Sequence, residues 1–127
     1  VDAIDTLDAK VALLQAAYEA GLAVYSSMGA ARKTHPEAIR FGDISKTEVC
    51  PLAREVRKRL KKIGISKGIS CVYSIETVDS STHRAGVFNP EAVVKRPQLG
   101  SLMTVTASFG LRLAAEVIDK LTCKAVE

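Results

Sequence analysis

The sequence predicts an α/β fold, a parallel or mixed sheet with flanking helices. Two observations carry that expectation. Short apolar, strand-like runs alternate with segments whose apolar residues recur at helical spacing. The first strand, helix and strand also fit within about 28 residues, the length of a βαβ crossover. Such a unit implies parallel strands covered by helices.

VDAI, residues 1–4, reads as a short buried strand because a capped helix follows at once. Asp5 is expected as the N-cap with Asp8 at N3, a variant of the capping box. Asp8 also suits the positive end of the helix dipole. Leu7, Val11, Leu14, Ala17 and Tyr18 recur at helical spacing, and Gly21 ends the helix. LAVYSS, residues 22–27, is the second strand. MGAARKTHPEA, residues 28–38, is a loop in which Gly29 relaxes the backbone and Pro36 discourages helix. IRFGDI, residues 39–44, is a third strand, with Gly42 at a bulge or a close backbone approach.

A helix is expected over 47–63, with Thr47 as N-cap and Pro51 in the first turn. Leu52, Val56, Leu60 and Ile63 fall within one ~80° sector at 100° per residue. Arg54, Arg57, Lys58, Lys61 and Lys62 lie opposite. Arg59 projects near the apolar sector, so it snorkels or pairs with something buried. Gly64 ends this helix. GISCVYSIE, residues 68–76, is a fourth strand rich in β-branched and aromatic residues. Residues 77–99 form a long polar, proline-bearing loop, of a length that is functional or disordered in small domains. Gly100 and Ser101 then open a last helix carrying Val105, Phe109, Leu113, Val117 and Leu121.

At 127 residues the chain is one domain or part of one. Apolar content of 47% and charged content of 25% are those of a globular protein, which argues against global disorder. No stretch approaches the ~18 continuous apolar residues of a membrane span. The acidic start lacks the basic region of a signal peptide, so a cytosolic, cytoplasmic location with no membrane partner is expected. Cys50, Cys71 and Cys123 contain no CxxC, so neither a disulfide framework nor a zinc knuckle is encoded. Cys71, within a strand, reads as buried packing.

Charge is concentrated. Residues 54–67 carry seven Lys and Arg against Glu55, exceeding the net +4 of the whole chain. That segment suggests a polyanionic partner, with a solvated helix face as the plainer alternative. No GxGxxG or Walker A sequence is present, so the chain encodes no recognisable phosphate cradle. Ser108, His35 and His83 sit in no nucleophile elbow. Asp5 is more informative. It stands at the carboxyl end of the expected first strand, where ligands bind in open α/β sheets. A carboxylate there can hold magnesium beside ATP phosphates, or serve simply as a helix cap.

These pieces resemble one known arrangement in order and spacing. VDAID, VYSSMGAARK, IRFGDISKTEVCPLAREVRKRLKKIGI, CVYSIE and LGSLMTVTASFGLRLAAEVI are similar to the tRNA threonylcarbamoyladenosine dehydratase family. This belongs to the ubiquitin-activating-enzyme-like superfamily of ThiF, MoeB and HesA. The PLAR…R.RL..IGI block followed by CVYS.E is the specific part. The resemblance implies that residues 1–127 are the C-terminal half of a Rossmann-like adenylating domain. The half with the nucleotide loop is not within them, and the start at Val1 without a methionine fits a fragment. It implies ATP-dependent cyclisation of threonylcarbamoyladenosine in tRNA through carboxylate adenylation, with the fragment alone inactive.

The resemblance also carries residue roles. Asp5 matches the aspartate that organises Mg2+ and ATP, a combined catalytic, cofactor and metal role. Gly29 and Lys33 match a glycine-rich cofactor-binding stretch, although MGAARK has fewer glycines than the family pattern. Arg54, Arg57, Lys58, Lys61 and Lys62 match a basic helix, expected to contact tRNA phosphates. Some relatives carry a cysteine before the last helix. VVKRPQL has none, which disfavours a thioester role. A homodimer is implied, and a sulfur-transfer partner is left open. Two alternatives stand beside this reading: adenylation of a ubiquitin-like sulfur carrier, and a non-catalytic RNA-binding module.

Overall fold

A computed structural model describes residues 1–78 and 100–123. Most of the expected 77–99 loop, with His83, therefore lies outside the described residues. The elements are α1 (Leu7–Glu19), β1 (Tyr25–Ser27), β2 (Ile39–Asp43), α2 (Pro51–Lys62), β3 (Ser70–Ser74) and α3 (Met103–Cys123), with 3-10 turns at Pro36–Ala38 and Ile44–Lys46.

The sheet is mixed, in the order β1-β3-β2. β1 runs parallel to β3, with Ser26 opposite Cys71. β2 runs antiparallel to β3, with Phe41 opposite Val72. The reversal has a simple cause. Residues 28–38 join β1 to β2 with only a 3-10 turn, and no crossover helix returns the chain to its starting end. Gly42 pairs regularly with Cys71, and a Cβ there would meet nothing within 4 Å, so it marks neither a bulge nor a close backbone approach.

VDAI is not a full strand. Asp2 alone bridges Ser26 in parallel, through Asp2 N–H to the Tyr25 carbonyl at 2.7 Å and Ser27 N–H to the Asp2 carbonyl at 2.8 Å. The cap of α1 also moves by one residue. Thr6 occupies the N-cap without a side-chain cap bond, and Asp5 is exposed ahead of it. Asp8 does lie in the first turn. Gly21 ends α1 as expected, with φ +68°. Its N–H reaches the Tyr18 carbonyl while that of Leu22 reaches Ala17, the paired bonds of a Schellman end.

α2 starts at Pro51 rather than near Thr47. The residue before a proline is pushed out of helical conformation, so Cys50 is extended and Pro51 becomes the first helical residue. Thr47 closes the preceding 3-10 turn instead, its hydroxyl donating to the Ile44 carbonyl at 2.7 Å. Ala53, Val56 and Leu60 are the buried face, while Ile63 is exposed at the C-cap. Gly64 follows at φ +85°.

Successive β3 residues point to opposite faces, and the core divides accordingly. Cys71 and Tyr73 pack with Leu14 of α1 and with Ala53, Val56 and Leu60 of α2. Val72 packs on the other face with Val105, Phe109 and Leu113 of α3, flanked by Tyr25 and Phe41. Those two rings stack at 6.1 Å. Cys71 is fully buried, as expected. Burial, helped by the neighbouring Asp43 and Cys50, pushes its thiol up to about 12, so it stays protonated and unreactive.

Candidate functional site

The segment carrying Asp5 is fixed by a group that periodicity does not reveal. Asp2 is 2% exposed and Lys10 0%. The Lys10 ammonium donates to Asp2 Oδ2 at 2.6 Å and to the Ile4 carbonyl at 3.0 Å. Ser26 Oγ donates to the same Asp2 oxygen at 2.6 Å, and Ile4 N–H donates to Asp2 Oδ1 at 2.9 Å. Both backbone groups of Ile4, the residue before Asp5, are thus held. A buried ion pair is tolerated when further hydrogen bonds support both partners, and here each partner has them. Asp5 itself is exposed at the end of this clamped segment and makes no ion pair or hydrogen bond among the described residues. Its oxygens are therefore available to a hard cation, which favours carboxylate oxygen.

Gly29 and Lys33 do come together. Both line a pocket of about 390 Å³ with Arg32, Cys50, Leu52 and Thr77. The Lys33 ammonium, however, is turned inward. It is 3% exposed and donates to the Glu76 carbonyl. The Glu76 carboxylate grips the same loop, accepting from Thr34 N–H at 3.0 Å, Thr34 Oγ1 at 3.0 Å and His35 N–H at 3.0 Å. Desolvation pushes this carboxyl upward, but those hydrogen bonds outweigh it and hold the group below the ordinary range. Lys33 and Glu76 thus tie the end of β3 to the loop that walls the pocket. Arg32 and Val49 line the same pocket with φ of +61° each, positions where non-glycine residues are uncommon. Asp5 is not among this pocket's lining residues.

The basic residues of α2 divide. Arg54, Arg57, Lys58 and Lys61 line a cleft of about 440 Å³ with Ser45 and Ser66 on its rim and Ile44, Leu60 and Ile65 behind them. Lys62 is exposed outside that lining. Arg57 is anchored to the Thr47 carbonyl and hydroxyl. Arg59 pairs with Asp8 in the first turn of α1, an exposed partner rather than a buried one. That cross-helix pair was not expected. Lys10 was also missed, although it sits between Leu7 and Leu14 on the apolar stripe, with Asp2 eight residues upstream.

Among the described residues, no group of three or more His, Cys, Asp or Glu is placed to hold a metal ion. None of the described helices is long and apolar enough to cross a membrane.

Fold and site together define a mixed α/β domain with an available carboxylate just ahead of α1 and a cationic cleft along α2. The chain belongs to the tRNA threonylcarbamoyladenosine dehydratase family. It is 38% identical to tRNA threonylcarbamoyladenosine dehydratase 1 of Saccharomyces cerevisiae, over 96% of this chain and 30% of that protein. It is 35% identical to the Bacillus subtilis dehydratase, over 95% of this chain and 49% of that one. The crystal structure of the E. coli enzyme, TcdA, in complex with ATP superimposes with a TM-score of 0.80 at 29% identity, covering 98% of this chain and 48% of that chain. No protein-family model matches the chain. The chain thus spans from about a third to half of these relatives.

Proposed function

We propose that the protein containing these residues catalyses the ATP-dependent cyclisation of threonylcarbamoyladenosine in tRNA. The carrying observation is the similarity to dehydratases of that name across 95% or more of the chain. A relative solved with ATP has the same fold over this span. In this reading residues 1–127 are the C-terminal portion of a ThiF/MoeB-type adenylating domain. A groove of about 540 Å³ beside Val1, Ala3, Gly110 and Ile118 lies open on the α3 side.

The chemistry follows from the poor electrophilicity of a carboxylate. An oxygen of the threonyl carboxylate attacks the α-phosphorus of ATP, and pyrophosphate leaves. The urea-type carbonyl oxygen of the same modification then attacks the activated carbon. The ring closes as AMP departs with the carboxylate oxygen, so one water is lost overall. The nucleophile is already tethered, and orientation alone supplies effective molarities of ~10⁵ M or more. No enzyme nucleophile is needed.

Asp5 is the residue of this chain that would hold Mg2+, whose charge offsets that of the triphosphate. One carboxylate is an adequate protein share, because Mg2+ is commonly bound through one or two carboxylates plus substrate phosphates. The Asp2–Lys10 pair orients the segment that presents Asp5. Gly29 bounds the pocket beside α2. Lys33 acts as a strut of its wall rather than as a direct phosphate contact, since its ammonium is engaged by Glu76. Arg54, Arg57, Lys58, Lys61 and Lys62 form the face toward tRNA. A homodimer and a cytoplasmic location accompany this reading.

The test is nucleoside mass spectrometry of tRNA incubated with the intact protein and ATP. Loss of one water from threonylcarbamoyladenosine is expected, and it should require Asp5. An unchanged nucleoside mass rejects the reading. ATP–pyrophosphate exchange that depends on a small carrier protein and not on tRNA would instead favour sulfur-carrier adenylation.

A further inference from the structure

The split among the α2 cations points to a particular ligand. Arg54, Arg57, Lys58 and Lys61 converge on one cleft, while Arg59 is committed to Asp8. Among the described residues, Arg54, Lys58 and Lys61 have no carboxylate within ion-pair distance. Arg57 is different, because Thr47 holds its guanidinium by two oxygens and Thr47 is itself tied to the Ile44 carbonyl. A guanidinium fixed before binding loses less entropy when it grips an anion. The apolar wall of Ile44, Leu60 and Ile65 limits screening on one side and strengthens attraction at the rim.

We propose that this cleft seats a backbone phosphate of the RNA substrate and reads no base. The inference rests on the tRNA reading above and narrows it to one seat. Several cations with two rim hydroxyls suit a phosphodiester. The lining contains no aromatic ring on which a base could stack, and its polar groups are cations and hydroxyls suited to phosphate oxygen. Contacts of this kind position an RNA without reading its sequence. Lys62 borders the seat without lining it, and Lys67 stands outside it and contributes only diffuse charge.

The experiment is tRNA binding to the intact protein, measured by fluorescence anisotropy over a salt series. Arg54, Lys58 and Lys61 are exposed, so the triple variant Arg54→Ala/Lys58→Ala/Lys61→Ala is expected to remain folded. It should weaken binding at least tenfold and flatten the salt slope by about two units, whereas Lys67→Ala/Lys120→Ala, at two exposed lysines outside the cleft, should cost less than about twofold. Thr47→Val leaves the charge unchanged, and its expected effect is a several-fold loss with the slope preserved. Equal losses for the triple and the control pair overturn the seat. So does oligoglutamate that displaces tRNA as well as an RNA competitor of equal charge. The two levels separate in the cyclisation assay. Cyclisation with an unchanged KM for tRNA in the triple variant rejects the cleft and keeps the dehydratase. Selective binding loss without any cyclisation by the unaltered protein keeps the cleft and rejects the dehydratase.

Discussion

The two faces of the sheet are closed to different degrees. Toward α1 and α2, Leu14, Val56, Leu60, Ile69 and Cys71 form a continuous buried core. Toward α3, the buried apolar set among the described residues is smaller, Val72, Val105, Phe109 and Leu113, and the helix turns other apolar residues outward. Leu111 is 72% exposed, Ile118 59% and Leu121 66%. Leu113 itself lines the groove that reaches Val1 and Ala3. The first face is finished by the chain's own elements. The second is half-built, which fits a domain whose relatives are about two to three times as long. Apolar residues clustered on an exposed face mark an interaction surface rather than a core.

The largest expected effect tests what locks the finished side to the outer strand. Lys10→Met leaves the Asp2 carboxylate buried without its cation, and loss of one partner of such a pair costs about 3–5 kcal/mol. Urea denaturation of the variant should show that loss. Adding Asp2→Leu should recover much of it, because an apolar pair replaces an orphaned charge. A cost below about 1 kcal/mol for Lys10→Met alone would mean that water reaches the pair and that it orients nothing.

Leucine truncations compare the faces directly. Leu14 is fully buried, so Leu14→Ala should cost about 3–5 kcal/mol, including the cavity it leaves. Leu113→Ala opens onto the existing groove, and a cost nearer 2 kcal/mol is expected, because no sealed cavity forms. Leu111→Ala should stay within about 0.5 kcal/mol. Equal costs at Leu14 and Leu113 would show that the α3 face is already closed.

Much of this was legible from sequence, and the misses have physical causes. Val56 and Leu60 on the buried face of α2 follow from apolar spacing, whereas the expected Ile63 is exposed and Ala53 takes a buried place, and Gly21 and Gly64 stop their helices where glycine suits the left-handed backbone. Thr47 was misread because its cap preference is weaker than the constraint that Pro51 puts on Cys50. The direction of β2 is set by the connection before it, not by residues within the strand. Lys10 counts as polar in any periodicity, yet its burial depends on Asp2 meeting it in space. Asp5 was legible as an exposed carboxylate ahead of α1, but not as a strand end, since Asp2 alone bridges the sheet, and its neighbour's backbone clamp was not legible. The cleft was half-legible. Helical spacing put five cations on one side, but the turn at Ile44–Lys46 and the chain at Ile65 and Ser66 decide which of them share a cavity.

The smallest expected effect lies at the Glu76 clamp, which belongs to neither face. Its carboxyl is held below the ordinary range in the folded protein. A depressed carboxyl contributes stability above its unfolded value near 4.5, and the contribution fades as pH falls through the lower folded value. Glu76→Gln should therefore be less stable than the unaltered protein at neutral pH, with the gap narrowing below about pH 4.5. Because the group is partly exposed, the gap should be small, and thermal melts from pH 3 to 7 would resolve it. The same variant should loosen the Thr34–His35 backbone, read as faster hydrogen exchange at those amides. A gap that stays constant across that range would mean that shape rather than charge holds the loop.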